Sequence, residues 1–171
     1  VVGELDFDDR YYTQDQLDIG ANDNRYFVDS SEADQGVAGS GRSVKDLVDG
    51  IGTSEIATLF FPHDSGSDTT VYTFSTDEVL PSNIYIQVQP GAVLDTTTST
   101  LTVYSSGNIM AYKGQQIFEE DISFTEAGAV YPGWFGCVGD GSTDDSTRFQ
   151  KAMNSAAGGS LIVTAGKTFM I

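Results

Sequence analysis

Asp140, Asp144 and Asp145, close together near the C-terminal end, have the types and spacing that come nearest to doing chemistry in this chain. Clustered carboxylates serve two chemistries. Paired carboxylates cleave glycosidic bonds, and grouped carboxylate oxygens hold calcium. The spacing here is not that of an EF-hand loop. A further reading needs no ligand. Gly139, Asp140 and Gly141 form a turn signal. Ser142, Thr143 or Asp144 can accept from the free N–H groups of a following helix. Asp144 and Asp145 suit the positive end of its dipole. On that preferred reading Asp140, Gly141, Ser142, Thr143, Asp144 and Asp145 build a helix cap. No residue is then assigned to catalysis, to a metal or to a cofactor.

The other chemistry-bearing side chains stand alone. His63, the single histidine, lies between Phe61-Pro62 and Asp64-Ser65-Gly66, with no nucleophile or second ligand beside it; it reads as a turn residue. Cys137 is the single cysteine, so no intrachain disulfide and no Cys/His zinc site is expected, and it reads as a packing residue. Tyr85, Tyr104, Tyr112 and Trp134 have rings that can stack on sugars, but packing and subunit contact are the preferred roles. No phosphate-binding glycine loop or Ser-His-Asp set is present.

The aspartates need an element to position them. Phe149, Ala152, Met153 and Ala156 fall at i, i+3, i+4 and i+7, which predicts a helix from about Asp144 to Ala157 with one apolar stripe, ended by Gly158-Gly159. Leu161-Ile162-Val163 and Thr168 to Ile171 then read as strands about the turn Ala165-Gly166. Upstream, Ser43 caps a second short helix whose face is Val44, Leu47 and Val48, with Gly50 or Gly52 at its end. From Ala57 onward short strands alternate with turns: Ala57 to Phe61, Thr69 to Phe74, Ile84 to Val88, Ala92 to Leu94 and Leu101 to Tyr104. This is a mainly β pattern, compatible with a sandwich or with stacked rungs, and rungs are favoured.

Charge narrows the partners. The net charge of −17 repels nucleic-acid phosphates and anionic membrane surfaces alike, and no apolar run is long enough to span a bilayer. Residues 1–36 are polar and aromatic, and Asp8-Asp9-Arg10-Tyr11-Tyr12-Thr13 is echoed by Asp23-Asn24-Arg25-Tyr26-Phe27-Val28. So little apolar surface does not offset chain entropy in one copy, whereas Tyr11, Tyr12, Tyr26 and Phe27 would do so between subunits. Residues 37–56 read as a glycine- and serine-rich linker followed by the short helix.

The stretch Tyr11-Tyr12-Thr13-Gln14-Asp15-Gln16-Leu17-Asp18 resembles the stem repeats of bacteriophage tail fibres. From about residue 57 the order of motifs resembles a phage tailspike approaching a right-handed parallel β-helix of the pectate-lyase-like superfamily. The pieces are Pro81-Ser82-Asn83, Ile84-Tyr85-Ile86, Pro90-Gly91-Ala92-Val93-Leu94, Trp134-Phe135-Gly136 and the Gly139 to Asp145 run. The resemblance implies a stem in residues 1–36, a β-rich neck or early rungs in 57–130, and in 131–171 a helix-capped first coil. It implies a homotrimer, without cofactor, in the virion. The N-terminal segment would join a tail or baseplate protein, and a distal part would reach host surface glycan. The chain then reads as the front part of a longer protein. The alternative is the N-terminal piece of a polysaccharide lyase or glycoside hydrolase, with any depolymerase residues beyond residue 171.

Overall fold

Hydrogen-bonded parallel ladders set the architecture of this computed structural model, which describes residues 24–171. Strands β1 (Arg25–Phe27), β2 (Ala57–Phe61), β5 (Ile84–Val88) and β8 (Ile109–Met110) form one sheet in that order. A second ladder pairs β3 (Thr70–Thr73) with β6 (Ala92–Asp95) and continues through a single bridge from Leu94 to Phe118. A third orders β4 (Glu78–Val79), β7 (Leu101–Val103) and β9 (Ser123–Phe124). Two further pairs join β10 (Ala129–Val130) to β12 (Ser160–Leu161) and β11 (Asp140–Asp144) to β13 (Thr168–Met170). The described residues are thus mainly strand with two α-helices, α1 (Val44–Ile51) and α2 (Ser146–Ser155). Neither is long and apolar enough to cross a membrane.

The chain visits the first three ladders in the same order on each circuit. Ala57 pairs with Ile84, whereas Thr70 pairs with Ala92, a shorter step along the chain. The difference lies in one corner: residues 62–69 separate β2 from β3, but only 89–91 separate β5 from β6. Alternate residues of each strand point inward. Ala57, Leu59 and Phe61 therefore lie beside Ile84, Ile86 and Val88, all buried. Tyr72, Leu94 and Phe118 make a second buried column, and the Tyr72 hydroxyl donates to Pro62 O at 2.7 Å. Val71, out of phase with Tyr72 and Phe74, faces water, as its place in the alternation predicts.

Asparagine side chains tie one circuit to the next. Asn24, Asn83 and Asn108 each stand just before a strand of the first sheet. Asn24 Nδ2 donates to Ile56 O at 2.8 Å, and Asn83 Nδ2 to Gly52 O at 2.9 Å. Asn108, buried, donates to Ser82 O at 3.1 Å and Ile84 O at 2.8 Å. These bonds satisfy carbonyls left open beside strand ends and, at Gly52, at the end of a helix.

Two expectations need correcting. First, residues 24–36 belong to the folded unit and not to a separate stem. Val28 is buried, and buried Gln35 donates to Asp29 O and accepts from Val44 N. Second, the glycine-rich stretch before α1 is a pinned loop, because Asp46 collects Gly39 N at 2.7 Å and Gly41 N at 3.1 Å. Its carboxyl is held below the usual range, chiefly by Gly39 N–H and then by the Ser43 hydroxyl. Ser43 caps α1 as expected, accepting from Asp46 N, and Gly52, with φ of 65°, ends it. The parallel ladders begin where β1 lies on β2, and α1 lays Val44, Val48 and Ile51 into the same core.

Candidate functional site

The aspartate-rich segment folds locally as a strand before it becomes a helix. Residues 140–144 form β11, with Asp140 opposite Thr168 and Asp144 opposite Met170. The helix therefore starts at Ser146, later than the apolar spacing predicts, with Asp145 at the N-cap position. The Asp145 side chain does not cap it. That carboxylate is fully buried and turns back to the loop before β11, accepting from Val138 N at 2.8 Å and Gly139 N at 3.0 Å. Asp144 takes the helix end instead, accepting from Ser146 N at 2.9 Å and from the Ser146 hydroxyl. Both contacts hold its carboxyl below the usual range, the hydroxyl first.

Asp140 makes a turn of its own. It accepts from Thr143 N at 2.7 Å, Ser142 N at 2.8 Å and the Thr143 hydroxyl at 2.9 Å. These contacts, the Thr143 amide foremost, pull its carboxyl well below the ordinary carboxylate range. Gly141, with φ of 78°, supplies the positive dihedral inside that turn. All three aspartates are thus occupied by backbone donors of the same segment. Among the described residues no group of three or more His, Cys, Asp or Glu side chains is placed to hold a metal ion.

The stripe on α2 is shifted. Ala152 is buried and Ala156 half-buried, as its period predicts, and Phe149 meets Phe169 with ring centroids 5.2 Å apart. Met153, however, is 49% exposed, and Ser155 is buried in its stead, its hydroxyl accepting from Ile122 N at 2.9 Å. A hydroxyl aimed at an open strand-end amide is worth more there than a thioether.

Tyr11 and Tyr12 lie outside the described residues. Tyr26 packs against the chain's own core, and Phe27 meets Phe60 edge-on at 5.2 Å. The guanidinium of Arg25 sits over the Phe60 ring at 4.0 Å, a cation–π contact on the same strand pair. His63 lies in a polar corner, with Nδ1 3.1 Å from the Thr70 hydroxyl and Nε2 3.0 Å from Gly66 O. Its ring also lies against Gly91, where a Cβ would come within 2.8 Å of it. Cys137 is free and buried, and burial, then the Asp145 charge, pushes its thiol up to about 11. That leaves it a poor nucleophile at neutral pH.

A cleft of about 340 Å³ opens beside the turn from Pro132 to Val138, with Lys113, Gln116, Cys137, Thr164, Lys167 and Phe169 in its lining. Sequence reasoning missed it because its walls come from three passes of the chain far apart in sequence. No family model, curated protein or solved structure matches the chain.

Proposed function

We propose that this chain is the proximal part of a bacteriophage tail fibre or tailspike. It would be a structural virion protein that joins a distal, glycan-binding region to the tail as a homotrimer. The observation that carries the reading is the set of parallel ladders visited in a fixed order. We take them as the early rungs of a right-handed parallel β-helix, the architecture implied by the Pro81 to Leu94 and Trp134 to Asp145 motifs. Each rung shields its neighbour's apolar interior, so a stack grows by adding rungs and suits a long, stiff spacer.

Apolar exposure near the last ladders supports the same reading. Ile162, Val163, Met170 and Ile171 all face solvent, and β12 and β13 each have one partner strand. An apolar ladder edge of this kind is covered in a growing stack by the next rung. Sedimentation of the purified chain tests the assembly. A homotrimer of the 18.3 kDa chain sediments at about 55 kDa; a monodisperse monomer at micromolar concentration would overturn it. Immunogold labelling with antibody to the chain should mark the tail of phage particles from the same source, and labelling elsewhere would remove the virion role.

A further inference from the structure

Acidic residues outnumber basic ones 25 to 8 in this chain, yet the four strands of the first sheet turn no carboxylate outward. Alternation buries Ala57, Leu59 and Phe61, so Thr58 and Phe60 point out, and the register carries that outer face across the sheet. Arg25, Thr58 and Tyr85 form one row of it. Phe27, Phe60, Gln87 and Met110 form the next. The rows are joined, because Phe27 meets Phe60 edge-on and the Arg25 guanidinium lies 4.0 Å from the centre of the Phe60 ring. Phe27 and Met110 are exposed, and Phe60 and Tyr85 are half-buried.

The other two long ladders differ. On the second, Val71 and Thr73 lie opposite Val93 and Asp95, so a carboxylate stands on the outer face. On the third the outer row is Val79, Thr102 and Ser123, with one apolar side chain among three. Only the first sheet combines aromatic rings, a methionine and an arginine without an acid, which is the composition of an interface core. Arg25 rests on the Phe27 and Phe60 rings, which carry no net charge, and among the described residues no carboxylate pairs with it.

Two copies of a chain with a net charge of −17 repel each other over most of their surface. They approach at least cost where neither presents an acid, and there the apolar area removed from water drives association. The cation on that face is in turn attracted to the acidic surface of another copy. We propose that the outer face of the first sheet is the surface through which copies of this chain meet. Phe27, Phe60, Tyr85 and Met110 pack against the second copy, and Arg25 is drawn to its carboxylates. The inference rests on the homotrimer reading above and names the face that holds such an assembly together.

Methionine methyls report on the face. Met110 and Met153, on α2, are 42% and 49% exposed in the single chain, so a soluble gadolinium chelate should broaden both resonances alike unless something covers one. In the assembled chain Met110 should stay sharp while Met153 broadens. Gln87→Glu, nearly isosteric and at the centre of the face, should weaken self-association in sedimentation about tenfold. Val71→Glu, on the second ladder, should leave it unchanged. A chain that stays monomeric at micromolar concentration would remove the homotrimer reading and this inference together. An assembly in which Met110 broadens as much as Met153 would overturn the inference alone. So would equal weakening by Val71→Glu. A protected Met110 with no effect of Gln87→Glu on sedimentation would also overturn it, since the cover would then come from the same chain.

Discussion

Leu101 and Val103 in β7 are shut away from water, whereas Ile162 and Val163, equally apolar, are 41% and 48% exposed. The two segments differ in neighbours. Strand β7 lies between β4 and β9, but β12 beside Ile162 is paired only with β10. Burial in this architecture is therefore a property of the stack. A side chain leaves water when a rung covers it from both sides, and its own hydrophobicity only sets how much is gained.

Substitution tests that contrast most directly. Phe118→Ala, in the column with Tyr72 and Leu94, should cost about 4 kcal/mol, read from the urea midpoint. Val163→Ala should change stability by less than about 0.5 kcal/mol in the monomer. Equal effects would show that the last segment is already covered in solution. Next in size is Asp145→Ala, which strands the amides of Val138 and Gly139 and should cost about 3 kcal/mol. Asn108→Ala removes two bonds to strand-end carbonyls inside the stack, and a loss of about 2 kcal/mol is expected. The smallest effect is electrostatic. Glu78 lies opposite Leu101 in the third ladder, and its burial raises its pKa, with Lys45 opposing. An acid with a raised folded pKa favours the folded state only while protonated, and that contribution is lost as pH rises through the folded value. Glu78→Gln should therefore raise the melting temperature near pH 7 by a few degrees, and by nothing near pH 3. A stabilisation that persists in acid would mean that packing, and not charge, is responsible.

Some of this fold is legible in the chain. Ile84, Ile86 and Val88 show their inward face by simple alternation, and Ser43 with Val44 and Val48 announces α1. Ladder partners are another matter. Ala57 meets Ile84 and Thr70 meets Ala92 at different offsets, so no fixed period appears. Nor does the segment Asp140 to Asp144 look like a strand, since its residues are polar and mostly exposed. Backbone bonds to β13, on the far side of α2, hold it extended. Asp145 escapes for a similar reason. Helix-capping rules see only neighbours downstream, and the amides that claim its carboxylate lie upstream. The cleft escapes as well, because Gln116, Pro132 and Phe169 are distant in sequence and only the fold brings them together.

The unequal corners have an engineering consequence. The chain takes a longer path between β2 and β3 than between β5 and β6, yet both strand pairs keep an unbroken register. Length is thus absorbed at the corner and is not transmitted to the ladders. A foreign peptide grafted after Gly66, inside the corner that Thr70 closes by its contacts with Asp64 and Ser65, would be displayed on the surface without altering a single strand pairing. One residue inserted inside β5 would instead turn part of its inward face outward. Such a scaffold accepts cargo of many lengths at its bends and almost none along its straight runs.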